Sequence, residues 1–107
     1  MILLHTNSLH KYGLNRIFEF AKAAGYDGLE IGVDKNNYDT QNAEYIKKLS
    51  EEYGLPVLAL HSPVDGSSTS VEHVVEMAVY LKCPVVVITP PKFLDFKFTN
   101  WLKSFLP

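Results

Sequence analysis

The chain has 107 residues, 47% of them hydrophobic and 21% charged, with a formal net charge of −2. That composition is ordinary for a soluble globular protein and provides for one domain. The acidic balance speaks against a nucleic-acid partner, which calls for a basic stripe, and no block of like charge points to an anionic membrane surface.

The opening residues Met1–His5 are apolar only briefly and carry no basic flank, so they do not read as a signal peptide. The first apolar run, Ile2–Leu4, ends in His5. Leu14, Ile17, Phe18 and Ala21 then follow the i, i+3, i+4, i+7 spacing of an amphipathic helix, and Gly25 stands where a left-handed C-terminal cap belongs. A second apolar run, Leu29–Val33, contains Glu30. Ala43, Ile46 and Leu49 mark the next helical stripe, closed by Gly54 and Pro56, with Asp39 as a cap candidate ahead of Thr40-Gln41-Asn42.

The third run, Val57–Leu60, breaks at His61 and Pro63. Val71, Val74, Val75 and Ala78 predict a third helix. Thr69 and Glu72 fit a capping box at its start, while the loop Asp65–Ser70 is the alternative, an anion cradle. Val85–Ile88 is the fourth run and leads to Thr89; Phe98, Trp101, Leu102 and Phe105 make a fourth helical stripe. No run approaches the roughly 20 apolar residues of a spanning helix. The single Cys83 cannot form an internal disulfide, which fits a reducing cytoplasm, and its place between helix and strand reads as a core residue rather than a reactive thiol.

The apolar runs recur about every 28 residues, the length of a strand, a helix and their two loops. The expected fold class is therefore α/β: four βα units with parallel strands, their Val/Ile/Leu runs covered on both faces. Four such units make an open sheet or half of a (β/α)8 barrel, so residues 1–107 read as a single, incomplete barrel domain.

Parallel α/β sheets bind ligands beyond the C-terminal ends of their strands. His5, Glu30, His61 and Thr89 occupy those ends. Glu30 shares a strand face with Gly28 and Gly32, which leave room for a ligand or another side chain. A carboxylate there needs a partner, whether a salt bridge or a substrate. The histidines suit either a divalent metal or proton handling, or else a plain structural hydrogen bond. His10 and His73 read as solvated, and no HEXXH, C-x-x-C, Walker-A or G-x-G-x-x-G spacing is present.

Three segments, Ala23–Asp34 (AAGYDGLEIGVD), Tyr53–Asp65 (YGLPVLALHSPVD) and Met77–Pro91 (MAVYLKCPVVVITPP), resemble in order the first half of xylose-isomerase-like TIM barrels. That superfamily holds sugar and sugar-phosphate isomerases and epimerases and the endonuclease IV type of nuclease. The resemblance implies that Glu30 faces the substrate cavity and that His61 lies near substrate or binds metal; His5 and Thr89, at the neighbouring strand ends, are expected on the substrate side with them. Thr89 stands where many members have histidine, a departure that with the acidic net charge speaks against nuclease-type metal binding, and Lys82-Cys83 replaces the small Gly-Ala pair usual at that helix end. A divalent metal (Mn, Mg, Co or Zn) is expected for the complete barrel, held mainly on strands five to eight, where the proton-transferring glutamates also lie. The chain ends before those strands, so no residue in it is assigned a catalytic role. Two expectations follow. One is the N-terminal portion of a metal-dependent sugar or sugar-phosphate isomerase or epimerase, inactive without its C-terminal half. The other is a self-associating half-barrel that binds a small polar ligand.

Overall fold

The first three amphipathic stripes fold as helices, as their spacing predicts. In the computed structural model, which describes residues 2–9, 11–34, 36–62 and 68–88, four strands and three helices alternate. They are β1 (Leu3–His5), α1 (Leu14–Ala24), β2 (Gly28–Gly32), α2 (Ala43–Tyr53), β3 (Val57–His61), α3 (Ser68–Leu81) and β4 (Val85–Val87). Short 3-10 turns at Thr6–Leu9 and Tyr38–Gln41 follow the first two strands. The strands form one parallel sheet in the order β1-β2-β3-β4. The chain is thus α/β with a four-stranded parallel sheet. The fourth helical stripe, from Phe98 to Phe105, and the loop 63–67 lie outside the described residues.

A parallel order that steps once per unit, with crossovers of one hand, puts successive helices on the same face of the sheet. The core agrees: Leu14, Ile17 and Phe18 of α1, Ile46 of α2 and Val74 of α3 share one buried cluster with Leu29, Ile31 and Leu60 from the strands. Phe18 stacks on Tyr53 of α2 at 6.1 Å between centroids, and Lys47 lies 5.3 Å from the Tyr80 ring centre, so each helix also grips its neighbour. In α3 the buried stripe is Val71, Val74, Met77 and Ala78, whereas Val75, expected in the core, is 44% exposed. It points away from α2, on the flank where the described residues offer no further helix. β4 also departs from the expectation of strands covered on both faces: Val85 and Val87, in register with Ala59 and His61 on the face opposite the helices, are exposed.

Two features tie the strands to one another. Asp27 clamps the entry to β1, its carboxylate accepting from the Ile2 N–H at 2.7 Å and its own N–H donating to the Ile2 carbonyl at 2.8 Å. Further along, the pairing of β2 with β3 slips: Leu29 lies opposite Val57 but Glu30 opposite Ala59, a β-bulge that inserts Leu58.

All three helices end in one device. The N–H groups of Tyr26, Leu55 and Cys83 each reach back five residues, to the carbonyls of Ala21, Ser50 and Ala78. The preceding residues Gly25, Gly54 and Lys82 take positive φ values of 82°, 64° and 55°. These are Schellman caps, and the third puts a lysine where glycine is favoured. The caps at the N-termini differ from expectation. Asn42, not Asp39, caps α2, its side chain accepting from the Tyr45 N–H at 3.1 Å, because Asp39 is drawn into the preceding 3-10 turn. Helix α3 already runs at Ser68, so Thr69 lies inside it rather than at its cap.

A left-handed residue with a Cβ is strained by about 1 kcal/mol relative to glycine. Lys82→Gly is therefore expected to raise unfolding stability by about 1 kcal/mol and Gly25→Ala to lower it by a similar amount. Urea titration of the two variants checks the signs; destabilisation by Lys82→Gly would show that the lysine side chain makes a compensating contact.

Candidate functional site

Three polar side chains meet on the sheet face opposite the helices. In parallel pairing, residues in register point the same way, and His5 lies in register with Glu30. His61 comes to that face through the bulge. Leu58 sits beside Gly28, since a Cβ on Gly28 would lie 3.2 Å from its Cδ1. His61, three residues later, would point to the helices in an unbroken strand; the extra residue turns it back toward Glu30.

The result is compact. One ligating atom each from His5, Glu30 and His61 lies within 4.8 Å of the others. The His61 Nε2 stands 3.6 Å from a Glu30 carboxylate oxygen, with the two side chains 25% and 34% exposed. The His5 and His61 rings meet edge to face at 4.4 Å. At 3.6 Å the Glu30–His61 contact is an ion-pair distance and too long for a hydrogen bond. The His61 Nε2 is accordingly buried with no hydrogen-bond partner. Buried polar atoms are nearly always satisfied, so this unsatisfied one at a strand end stands apart from the usual pattern.

Of the four residues expected at the strand ends, the structure brings His5, Glu30 and His61 together; Thr89 lies outside the described residues, as does His10. His73 is exposed as expected, yet its Nε2 lies 3.2 Å from the Gln41 carbonyl, which ties α3 to the loop before α2. Cys83 is half-buried, and burial pushes its thiol pKa up, in keeping with a packing role.

The sequence reading overlooked Thr6 and Asn7. The Thr6 hydroxyl is buried and accepts from the Gly32 N–H at 2.9 Å. The Asn7 N–H donates to the His5 Nδ1 at 3.1 Å. The Asn7 carboxamide lies over Gly32, so close that a Cβ on Gly32 would come within 2.7 Å of its Oδ1. The short His5-Thr6-Asn7 run directly after a strand was the available signal, since Thr and Asn favour such side-chain-stabilised turns.

These contacts decide how well the trio suits a divalent metal. A ligating imidazole presents a bare lone pair and donates its other N–H to an acceptor. In His5 the Nδ1 lone pair is taken up by the Asn7 N–H, so the neutral ring carries its proton on Nε2. Neither nitrogen has a free lone pair, and the trio does not fit a three-ligand metal ion in this arrangement. Glu30 and His61 alone make an incomplete set.

Burial first, and the His61 neighbour second, push the His5 pKa below its ordinary value of 6.5, against a smaller upward pull from Glu30. A histidine depressed in the folded state contributes stability above pH 6.5 that is lost as pH falls through the lowered value. Unfolding free energy is expected to decline between about pH 7 and about pH 5, and the decline to be smaller in His5→Gln. Parallel urea titrations check this; equal declines in both proteins would assign the acid sensitivity to other groups.

No family model matches the chain. It is 32% identical over 97 residues to uncharacterized proteins of Mycobacterium bovis and Mycobacterium tuberculosis, and 33% identical over 97 residues to one of Mycobacterium leprae. Each alignment covers 82% of this chain and 34% of the relative. The chain thus spans about a third of the length of the curated relatives it matches. No helix among the described residues is long and apolar enough to cross a membrane.

Proposed function

We propose that this chain forms the N-terminal, substrate-contacting portion of a sugar or sugar-phosphate isomerase or epimerase of the xylose-isomerase-like kind, a cytoplasmic enzyme of carbohydrate metabolism built on a (β/α)8 barrel. The observation that carries the reading is the convergence of His5, Glu30 and His61, with ligating atoms mutually within 4.8 Å, at the C-terminal ends of three adjacent parallel strands. That is where parallel α/β proteins bind their ligands. The single layer of helices, and the Gly25–Glu30 segment that both clamps β1 and delivers Glu30, support it further.

On this reading the two histidines and the carboxylate bind and orient hydroxyl groups, each of which can donate to Glu30 while accepting from an imidazole N–H. Proton transfer between adjacent carbons, and the divalent metal that polarises the carbonyl, belong to residues supplied by the rest of the barrel.

Binding is the direct test. Amide and histidine NMR signals of the isotope-labelled chain are followed while a panel of pentoses, hexoses and their phosphates is added. Shifts confined to His5, Glu30, His61 and their neighbours are expected, with Glu30→Gln or His61→Ala weakening binding about tenfold, or about 1.4 kcal/mol. A folded chain whose strand-end signals ignore every member of the panel would sink the reading.

A second reading rests on the two lateral flanks. Ile2, Tyr12 and Phe20 are exposed on the β1 side and Val75, Val79, Val85 and Val87 on the β4 side. Open edges of this kind invite pairing, which favours a self-associating half-barrel that binds the same class of ligand without catalysis. Sedimentation of the purified chain separates the two: a discrete dimer supports the second reading, and a stable monomer removes it.

A further inference from the structure

We infer that Asn7 is a positioning residue that holds His5 as a hydrogen-bond donor, so that the strand-end cluster takes a neutral hydroxyl group of its ligand directly and His5 never serves as a metal ligand. This rests on the reading of the cluster as a ligand site and specifies which part of the ligand it recognises.

The polarity of His5 follows from one contact. A backbone N–H can only donate, so the Nδ1 it reaches at 3.1 Å must be unprotonated, and the proton of the neutral ring sits on Nε2. Burial and the nearby His61 both disfavour a second proton, which keeps the ring neutral. The single polar atom that His5 has left to offer is therefore a donor. The Glu30 carboxylate, an acceptor only, stands close to the ring, one ligating atom of each lying within 4.8 Å of the other. A hydroxyl group satisfies both, accepting from one and donating to the other. A phosphate or carboxylate would bring its own negative charge against that of Glu30.

Asn7 can impose this because its own position is tied to β2. The buried bond from the Gly32 N–H to the Thr6 hydroxyl, at 2.9 Å, anchors the turn. The missing side chain of Gly32 makes room for the Asn7 carboxamide, which fills the space a Cβ would need. Gly32 also lies in register with His61, so one glycine connects the turn that orients His5 to the strand that carries His61.

The arrangement opposes the one that metal-binding histidines use. There the outer nitrogen donates to a carbonyl or carboxylate and the inner one is bare. Here the outer partner is itself a donor. To ligate a cation, His5 would have to give up the Asn7 contact and move its proton.

Two measurements on the intact chain test this without requiring turnover. Long-range proton–nitrogen correlation spectra of the labelled protein at neutral pH, with His5 assigned by comparison with His5→Gln, are expected to show the Nε2–H form. Zn2+ titrations followed by calorimetry are expected to give the same affinity, or the same lack of it, for the parent chain and His5→Gln. An Nδ1–H pattern for His5 would overturn the inference. So would a Zn2+ affinity that falls about tenfold or more when His5 is replaced, the size of effect that loss of a ligand's support produces. Inorganic phosphate should leave the His5 signals in place, and a phosphate-induced shift centred on His5 would overturn the hydroxyl assignment. None of these results depends on any sugar being bound, so they stand or fall separately from the enzyme reading.

Discussion

The register slip between β2 and β3 is the constraint on which the site depends. Upstream of it, Leu29 pairs with Val57; downstream, Gly32 pairs with His61. A parallel pair with no bulge would keep the two strands in one phase, and His61 would project among the helices. There a histidine would displace an apolar side chain such as Leu60, which is fully buried in the core. The inserted residue therefore acts on both layers at once, turning Leu60 inward and His61 outward. Bulges beside functional sites commonly re-aim a side chain in this way.

The cluster differs in kind from a polar group such as Thr40. Thr40, buried between polar neighbours in the loop before α2, is fully engaged: its hydroxyl accepts from the Asp34 N–H at 2.8 Å and donates to the Asn37 carbonyl at 2.8 Å. That is how a structural polar residue looks in a tight loop. His61 and Glu30 instead face each other across 3.6 Å, near enough to interact electrostatically and too far to close a hydrogen bond. Holding unsatisfied polar atoms on a rigid sheet is unfavourable for stability, and such placement is typical of groups that await a ligand.

Much of the frame was legible because it follows from periodicity. The α1 stripe of Leu14, Ile17, Phe18 and Ala21 is buried as its spacing predicts, and Gly25 and Gly54 end their helices with the positive φ that glycine permits. Glu30 was legible because a carboxylate between two strand glycines has few structural reasons to be there. What escaped was decided by tertiary context. Periodicity alone could not rank Val75 against Met77, since the choice turns on which flank of α3 has a neighbour. The cap of α2 moved to Asn42 because Asp39 belongs to a 3-10 turn whose bonds run within the loop. The bulge at Leu58 left no mark in an uninterrupted apolar run, and Asn7 acts on His5 through its main chain, which residue identity does not reveal.

The site and the sheet edge are energetically linked through His5. Glu30 lies on a strand paired on both sides, whereas His5 closes β1, a three-residue strand paired only with β2 among the described residues. Its position is held by the Asp27 clamp at one end and the Thr6–Gly32 bond at the other. Short edge strands are drawn from the low-stability end of a fold, and opening of β1 would release His5 while leaving Glu30 and His61 in place. A contact that favours the closed strand also favours the assembled three-residue cluster, and by reciprocity a ligand held by His5 favours the closed strand. The edge strand and the polar cluster thus share one equilibrium, and the order of the site is tied to the pairing of β1 with β2.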